Sequence, residues 1–578
     1  MTRSIAFAAA ALLLMTAPHA QSPTSRPLPG DRPAANPHAT RSVVMGTHGM
    51  IATSQPLASA AGLKVLQDGG NAIDAAITAA AVLAVVEPTM TGVGGDLFAI
   101  VYDAKTQKLR GLNASGRSGY AATPDAFAKR SLERIPNAGV YSISVPGVVD
   151  GWSKLLETFG TIPLARALGP AIGYAKNGYA VSEIISRQWD ATVEKLAADP
   201  AAAATFLPGG RAPKPGDLFV NARLAATLET IAQGGRDAFY KGPIAAAIAA
   251  DLKKRDGLID ARDFAEHTSE WVDPISTSYR GYDVYELPPN TQGFLVLEML
   301  NILEGYDIRS LGHNSAEYLH LVAEAKRIAF ADRAAYLADP ASVPAAVTSA
   351  LISKEYAARR RAEIKPNRAA AEYKAGAVAG MTPSAGDRDV DLKGRDLGDT
   401  IYMTAADGQG NFVSLIQSLF SEFGSGIVAG ETGIVLQNRG SLFTLAPNHP
   451  NQIAPHKRPL HTLVPAFVMK DGRPWLSFGV MGGDHQAQGH VQVLANLIDF
   501  GMNIQEAGEA ARITHTTNGL QVESNISQAV RDGLAQRGHQ VVDAFGQFGG
   551  FQGILVDPKT RVLMGGSDMR KDGLAIGW

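Results

Sequence analysis

Apolar and polar positions alternate with two different periods along this chain. Residues Ala72–Val86 are apolar except for Asp74 and Thr78, with Asn71 before them and Pro88 after. Asn is a good helix N-cap and Pro a stop, so the stretch predicts a helix. Apolar on every side yet too short to span a bilayer, it belongs in a core. Four pairs of short alternating segments predict β-hairpins: residues 97–102 with 108–113, 401–405 with 412–417 around Asp407–Asn411, 466–470 with 475–480 around Asp471-Gly472, and 553–556 with 561–564. Helical periodicity covers residues 164–177, 221–233, 294–304, 316–337 and 491–511. Strands that arrive as hairpins between long helices predict an α/β (α+β) chain with antiparallel-rich sheets covered by helices. No repeat of fixed period is present. Residues 372–399 stand apart: rich in Gly, Asp, Arg and Lys, they can bury little, yet they run directly into the strand pattern that starts at Thr400. A processing site is expected there.

The first 20 residues carry Arg3, an apolar run and the small residue Ala20, the pattern of a secretory signal peptide (1–20). Residues 21–43 follow as a Pro-, Ser- and Ala-rich leader expected to be flexible. The expected location is therefore periplasmic or secreted, without a membrane anchor. Charge narrows the partners. Lys and Arg number 53 against 55 Asp and Glu, and no basic run exceeds Arg359–Arg361. Such a chain lacks the electrostatic footprint of nucleic-acid binding. Cysteine is absent, which excludes thiol nucleophiles, disulfides and cysteine-held metals.

Common catalytic signatures are missing: there is no G-x-S-x-G elbow, phosphate-binding P-loop, strict dinucleotide fingerprint or H-E-x-x-H. His485 and His490, like His456 and His461, are five apart, which does not align two ligands on one helix face. No metal and no organic cofactor is expected, and His320, in an apolar helix, reads as a core histidine. Thr chemistry and Gly-rich loops remain. If the Asp399–Thr400 bond were cut, Thr400 would carry a free α-amine beside its own hydroxyl. An α-amine titrates near 7.7–8.0, so at neutral pH it can serve as the base for that hydroxyl. Thr400 is equally at home as the first residue of a strand. Gly482 and Gly483 end a predicted strand, where backbone N–H groups can either cradle an oxyanion or close a tight turn. Arg117 follows another strand and is either a carboxylate grip or a surface charge.

With these residues in view the sequence resembles the gamma-glutamyltransferases, a family of N-terminal-nucleophile hydrolases. The resemblance runs from about Val44 to Trp578. It is carried by Ser54-Gln-Pro-Leu-Ala-Ser-Ala-Ala-Gly62, Gly69-Gly-Asn-Ala-Ile-Asp-Ala-Ala76, Gly92-Val-Gly-Gly95, Pro146-Gly-Val-Val-Asp-Gly151, Pro288-Pro-Asn-Thr-Gln-Gly293, Phe423-Gly-Ser-Gly426 and Lys457-Arg-Pro459. It implies a four-layer αββα sandwich made as one proenzyme, which cuts itself into a large chain (44–399) and a small chain (400–578) that stay together as a heterodimer. It also implies Thr400 as nucleophile, Ser418 as the hydroxyl that orients it, Gly482 and Gly483 as oxyanion donors, and Arg117 near the position that binds a γ-glutamyl α-carboxylate.

Several positions differ from the family pattern. Phe420 stands where the family keeps a donor-pocket Asn, Arg439 ends the segment Gln437-Asn438-Arg439, Leu442 replaces the Asp that pairs with the donor's α-amine, and His461-Thr462 replaces a Ser pair. An ammonium in a desolvated pocket needs a charge partner, which Leu442 cannot be. The pattern is similar to the divergent branch that includes glutaryl-cephalosporin acylases, whose acyl group has a carboxylate but no α-amine; Arg439 then becomes either a second carboxylate contact or a structural Arg. The expected activity is hydrolysis or acyl transfer of γ-glutamyl (glutathione-type) small-molecule amides, with a glutaryl-type amide acylase that lacks α-amino recognition as the alternative. A third reading is a non-catalytic binding protein that keeps the fold and stays uncut.

Overall fold

The computed structural model describes residues 39–384, 399–543 and 548–578; the signal-peptide reading, most of the leader and residues 385–398 lie outside it. Two seven-stranded antiparallel sheets form the centre. One runs in the order Val44–Gly46, Leu563–Ser567, Phe551–Val556, Arg473–Val480, Ala466–Lys470, Tyr282–Glu286, Ile275–Tyr279. The other runs Leu574–Gly577, Met50–Thr53, Asp399–Ala406, Phe412–Phe420, Asp96–Asp103, Lys108–Ala114, Glu270–Val272. Side-chain alternation explains the layering. Ile401, Met403, Leu97, Ala99, Val413 and Leu415 face a helical layer that includes Ala72–Val86. Their neighbours Tyr402, Phe98, Ile100, Phe412 and Ile416 face the opposite way and meet Phe467, Met469 and Ile554 of the other sheet. A third apolar cluster joins that other sheet to helices Gly293–Leu303, Ala316–Tyr336 and His485–Ile498. Helix, sheet, sheet, helix is the expected αββα sandwich. Fully burying each large apolar side chain contributes about 1.5–3 kcal/mol, so strands apolar on both faces hold the middle of such a fold.

Helix Ala72–Val86 has every residue buried and starts with a capping box: the Asn71 side chain accepts from the Ile73 and Asp74 amides while Asp74 accepts from the Asn71 amide. It packs on strands Asp399–Ala406 and Phe412–Phe420, so the predicted core helix backs the strand that begins at Thr400.

All four predicted hairpins form, most strands lengthened by a few residues, with 466–470 unchanged and the strand expected over 561–564 shifted to Leu563–Ser567. The helix expected over 491–511 does not run through. It begins earlier, at His485, and ends at Ile498; a second short helix, Ile504–Glu509, follows. Gly501 adopts φ +67°, and Asn503 starts a new capping box with Glu506, which together stop one helix and nucleate another. Segments expected to be loose are tied down where they are described. Thr40 donates through its amide and hydroxyl to Glu509, the Tyr373 hydroxyl donates to Glu324, and the Gly376 amide donates to Asp332.

Candidate active site

Thr400 lies at a break in strand register. Asp399 pairs with Phe420 and Ile401 with Gln417, so Ser418 and Leu419 together oppose Thr400. This is a β-bulge, a device that re-aims side chains beside functional sites. Thr400 is buried, and Gln486 Nε2 reaches its Oγ1 at 3.5 Å. Gln486 is itself held, its Oε1 accepting from the Val464 amide at 3.1 Å.

Gly482 and Gly483 connect strand Arg473–Val480 to the helix that carries Gln486. Their φ values are +109° and +54°, conformations that a residue with a Cβ rarely adopts. The Gly482 carbonyl accepts from the His485 amide and the Gly483 carbonyl from Gln486 N and Gln292 Nε2, so both peptide planes are oriented. The same Gln292 Nε2 donates to the Thr462 carbonyl, and Arg333 donates to Gln292 Oε1 and Asp484.

Past Ser418 the strand ends at Phe420, with φ +85°, a conformation costing a non-glycine residue on the order of 1–3 kcal/mol. There the Phe420 ring lies 4.5 Å from the Arg439 guanidinium, and its amide donates to Ser418 Oγ at 2.7 Å. Arg439 is fully buried and donates to Thr462 Oγ1 at 2.9 Å and to Ser418 Oγ at 3.3 Å; no partner among the described residues meets its Nε. Burial pulls this guanidinium down to about 9, opposed by the Asp96 carboxylate, so it stays charged at neutral pH. Asp96 is pushed up to about 6 by burial, opposed by Arg439 and by donors from Gln437 Nε2 and the Gly116 amide, both at 2.9 Å. His461 completes the cluster. Its Nε2 lies 3.1 Å from Asp96 Oδ2 and its Nδ1 faces the Leu463 amide, so the neutral ring donates through Nε2. Burial and the Arg439 charge hold it well below the usual histidine range.

The structure thus brings Ser418, Phe420, Arg439, His461 and Thr462 together beside the bulge at Thr400. Leu442 is fully buried in the apolar cluster that also contains Phe420 and offers no charge. Arg117 points elsewhere: it pairs with Glu270 at 2.7 Å, a carboxylate shared with the buried Arg458. Its chain neighbour Gly116 still touches the cluster through Asp96. Sequence reasoning missed Asp96 and Gln486, and quoted Gln292 and Gln437 only inside longer motifs, without a role of their own. Asp96 had a visible signal, an acid directly after Gly92-Val-Gly-Gly95 at a strand start; Gln486 had none.

The chain matches known proteins over almost its whole length. A family model described as Gamma-glutamyltranspeptidase matches residues 58–578. The "Glutathione hydrolase-like YwrD proenzyme" of Bacillus subtilis (strain 168) is 40% identical over 546 residues, covering 92% of this chain and 99% of that one. The "Acylase ACY 1 proenzyme" of Pseudomonas sp. (strain SE83) is 38% identical over 540 residues, covering 92% and 94%. The crystal structure of cephalosporin acylase from Bacillus halodurans superposes with a TM-score of 0.85 at 40% identity, covering 96% of this chain and 99% of that one. The chain therefore belongs to the gamma-glutamyltranspeptidase family, among its glutathione hydrolase-like and acylase-like members.

Proposed function

We propose that this protein is an exported, self-processing amidohydrolase whose nucleophile is Thr400. What supports the reading is the bulge that sets Thr400 against Ser418, with Gln486 on its hydroxyl and Gly482-Gly483 at the start of the Gln486 helix. In the first step Thr400 Oγ1 attacks the Asp399 carbonyl, the peptide C–N bond breaks, and the resulting ester is hydrolysed. This leaves a large chain ending at Asp399 and a small one beginning with Thr400. The freed α-amine then takes the proton of Oγ1 as the hydroxyl attacks the substrate amide. The amides of Gly482 and Gly483 hold the oxyanion, an interaction worth about 3–4 kcal/mol per donor. The ammonium returns its proton to the departing amine, and water, or an acceptor amine in transfer, resolves the acyl-enzyme.

For the acyl group we infer a carboxylate without an α-amine, the glutaryl type. Leu442 offers an ammonium no counter-charge, whereas the charged Arg439 keeps an N–H uncommitted next to Ser418. Two relatives carry acylase names, which agrees with this choice.

The test is intact mass of purified wild type beside Thr400→Ala. The expected result is two chains in the wild type, the smaller beginning at Thr400, and a single chain in the variant. One uncut chain in exported wild type would overturn the reading and leave the binding-protein alternative. If the cut is found, kcat/KM is compared for glutaryl and γ-glutamyl amides of one chromogenic amine. Faster turnover of the γ-glutamyl amide would reject the acyl-group assignment and return glutathione-type donors to the lead.

A further inference from the structure

Away from this cluster, the outer helical layer holds a second group of chemistry-bearing side chains. Helix Ala316–Tyr336 presents His320 and Glu324 one turn apart on the same face. His539, just beyond helix Gln528–Gln536, meets them, and one ligand atom from each of the three lies within 4.8 Å of the others. All three are buried, Glu324 and His320 completely.

Each potential ligand is already oriented by an outer partner. His320 Nε2 donates to the Lys365 carbonyl at 2.8 Å, which leaves Nδ1 as a bare lone pair, 2.8 Å from His539 Nε2. Glu324 Oε2 accepts from the Ala370 amide and the Tyr373 hydroxyl, and Oε1 accepts from Arg327, keeping a lone-pair direction open. Such outer bonds to carbonyl, amide and hydroxyl groups are the usual supports of metal ligands. Of the neighbouring cations, Arg537 pairs with Glu317, while Arg327 would share the Glu324 carboxylate with the ion.

We propose that His320 Nδ1, His539 Nε2 and a Glu324 oxygen bind one borderline divalent metal ion of the zinc, cobalt and nickel class. Two imidazoles and one carboxylate favour those ions over calcium or magnesium, which prefer oxygen ligands throughout. Bonds of about 2.0–2.1 Å to a tetrahedral ion place the two nitrogens about 3.3 Å apart. Compared with the present 2.8 Å, the rings need to separate by only about half an ångström. The proton that His539 Nε2 now donates to His320 moves to its own Nδ1, so the ring stays neutral and no net charge is released; water fills the remaining position. Since His320 and Glu324 precede Thr400 and His539 follows it, the ion would clasp the two parts of the chain across the proposed cut, although binding itself does not require the cut.

The experiment is equilibrium dialysis of the full purified protein against Zn2+, with Co2+ as a spectroscopic substitute, on wild type, His539→Ala and Glu324→Gln. The expected result is one Zn2+ per chain, weakened more than about 100-fold in His539→Ala, because even outer-partner losses cost about 10–100-fold. A visible Co2+ ligand-field band should appear in the wild type and vanish in that variant. Should His539→Ala not fold, His539→Gln, which can still donate to His320 Nδ1, takes its place. Absence of stoichiometric Zn2+, or equal binding by wild type and both variants, would overturn the proposal.

Discussion

Arg439 donates to Thr462 and Ser418 and lies over Phe420, and a charge held this deep requires a counter-ion. Asp96 supplies it while being displaced from its ordinary range to about 6. The sign of the linkage follows. A carboxyl whose folded value exceeds its unfolded value of 3.8 gives stability that is fully present below about pH 4 and is lost as pH rises through about 6. The difference is on the order of 3 kcal/mol, from about two units at 1.36 kcal/mol each. Asp96→Asn mimics the protonated form, so its thermal midpoint should gain on wild type between pH 4 and 6 and run parallel above; a constant gap across that window would contradict it. Leu442 makes the complementary prediction. Leu442→Asp should raise the γ-glutamyl over glutaryl ratio of kcat/KM about tenfold or more, through one new charge-assisted hydrogen bond, while lowering the thermal midpoint because the carboxylate enters an apolar cluster. At this scale residue type nominated Thr400 and the paired glycines, and the family resemblance nominated Leu442, as candidates for the proposed site. The sequence was silent on Gln486, an ordinary polar residue whose contact with Thr400 arises only when distant segments meet.

The segment after strand Lys108–Ala114 shows how elements reach the cluster. A Cβ added to Gly116 would sit 1.5 Å from the Val145 carbonyl oxygen, so this crossing of two backbones requires glycine. The same residue's amide serves Asp96. Gly116→Ala should therefore force the two segments apart and cost about 1–3 kcal/mol or more, with Asp96 losing a donor; a thermal midpoint and a pH profile equal to wild type would refute that coupling. Hairpins were legible because alternation and turn residues are local signals. The helix over 491–511 was overextended because its apolar period continues through the break, whereas the stop depends on Gly501 and on a cap at Asn503. Strands Glu270–Val272, Ile275–Tyr279 and Tyr282–Glu286 went unannounced. Two of them border the sheets, where one-sided pairing weakens the demand for a clear pattern.

Both sheets interleave strands from before and after Thr400. In one, Asp399–Ala406 and Phe412–Phe420 lie between Met50–Thr53 and Asp96–Asp103; in the other, Arg473–Val480 and Ala466–Lys470 lie between Phe551–Val556 and Tyr282–Glu286. Neither part can close its core alone. After the proposed cut the two chains should co-elute and unfold in one thermal transition, since the contacts between them are the fold's own; separate transitions for large and small chains would contradict this. The sandwich itself was expected from the resemblance, while hairpin counting alone reached only antiparallel sheets covered by helices.

The last strand, Leu574–Gly577, lies along Met50–Thr53, and the Thr47 and His48 amides both donate to the Trp578 carbonyl. The tail of the polypeptide therefore rests against the beginning of its folded body, while the bond before Thr400 is far away in sequence. Order along the chain and order in space are separable here. A circularly permuted gene that opens at Thr400, passes through Trp578 and a short linker to Val44, and stops at Asp399 would keep every strand neighbour. After removal of the initiator methionine it would present the Thr400 amine at birth, and the proposed maturation would no longer need an act of self-cleavage.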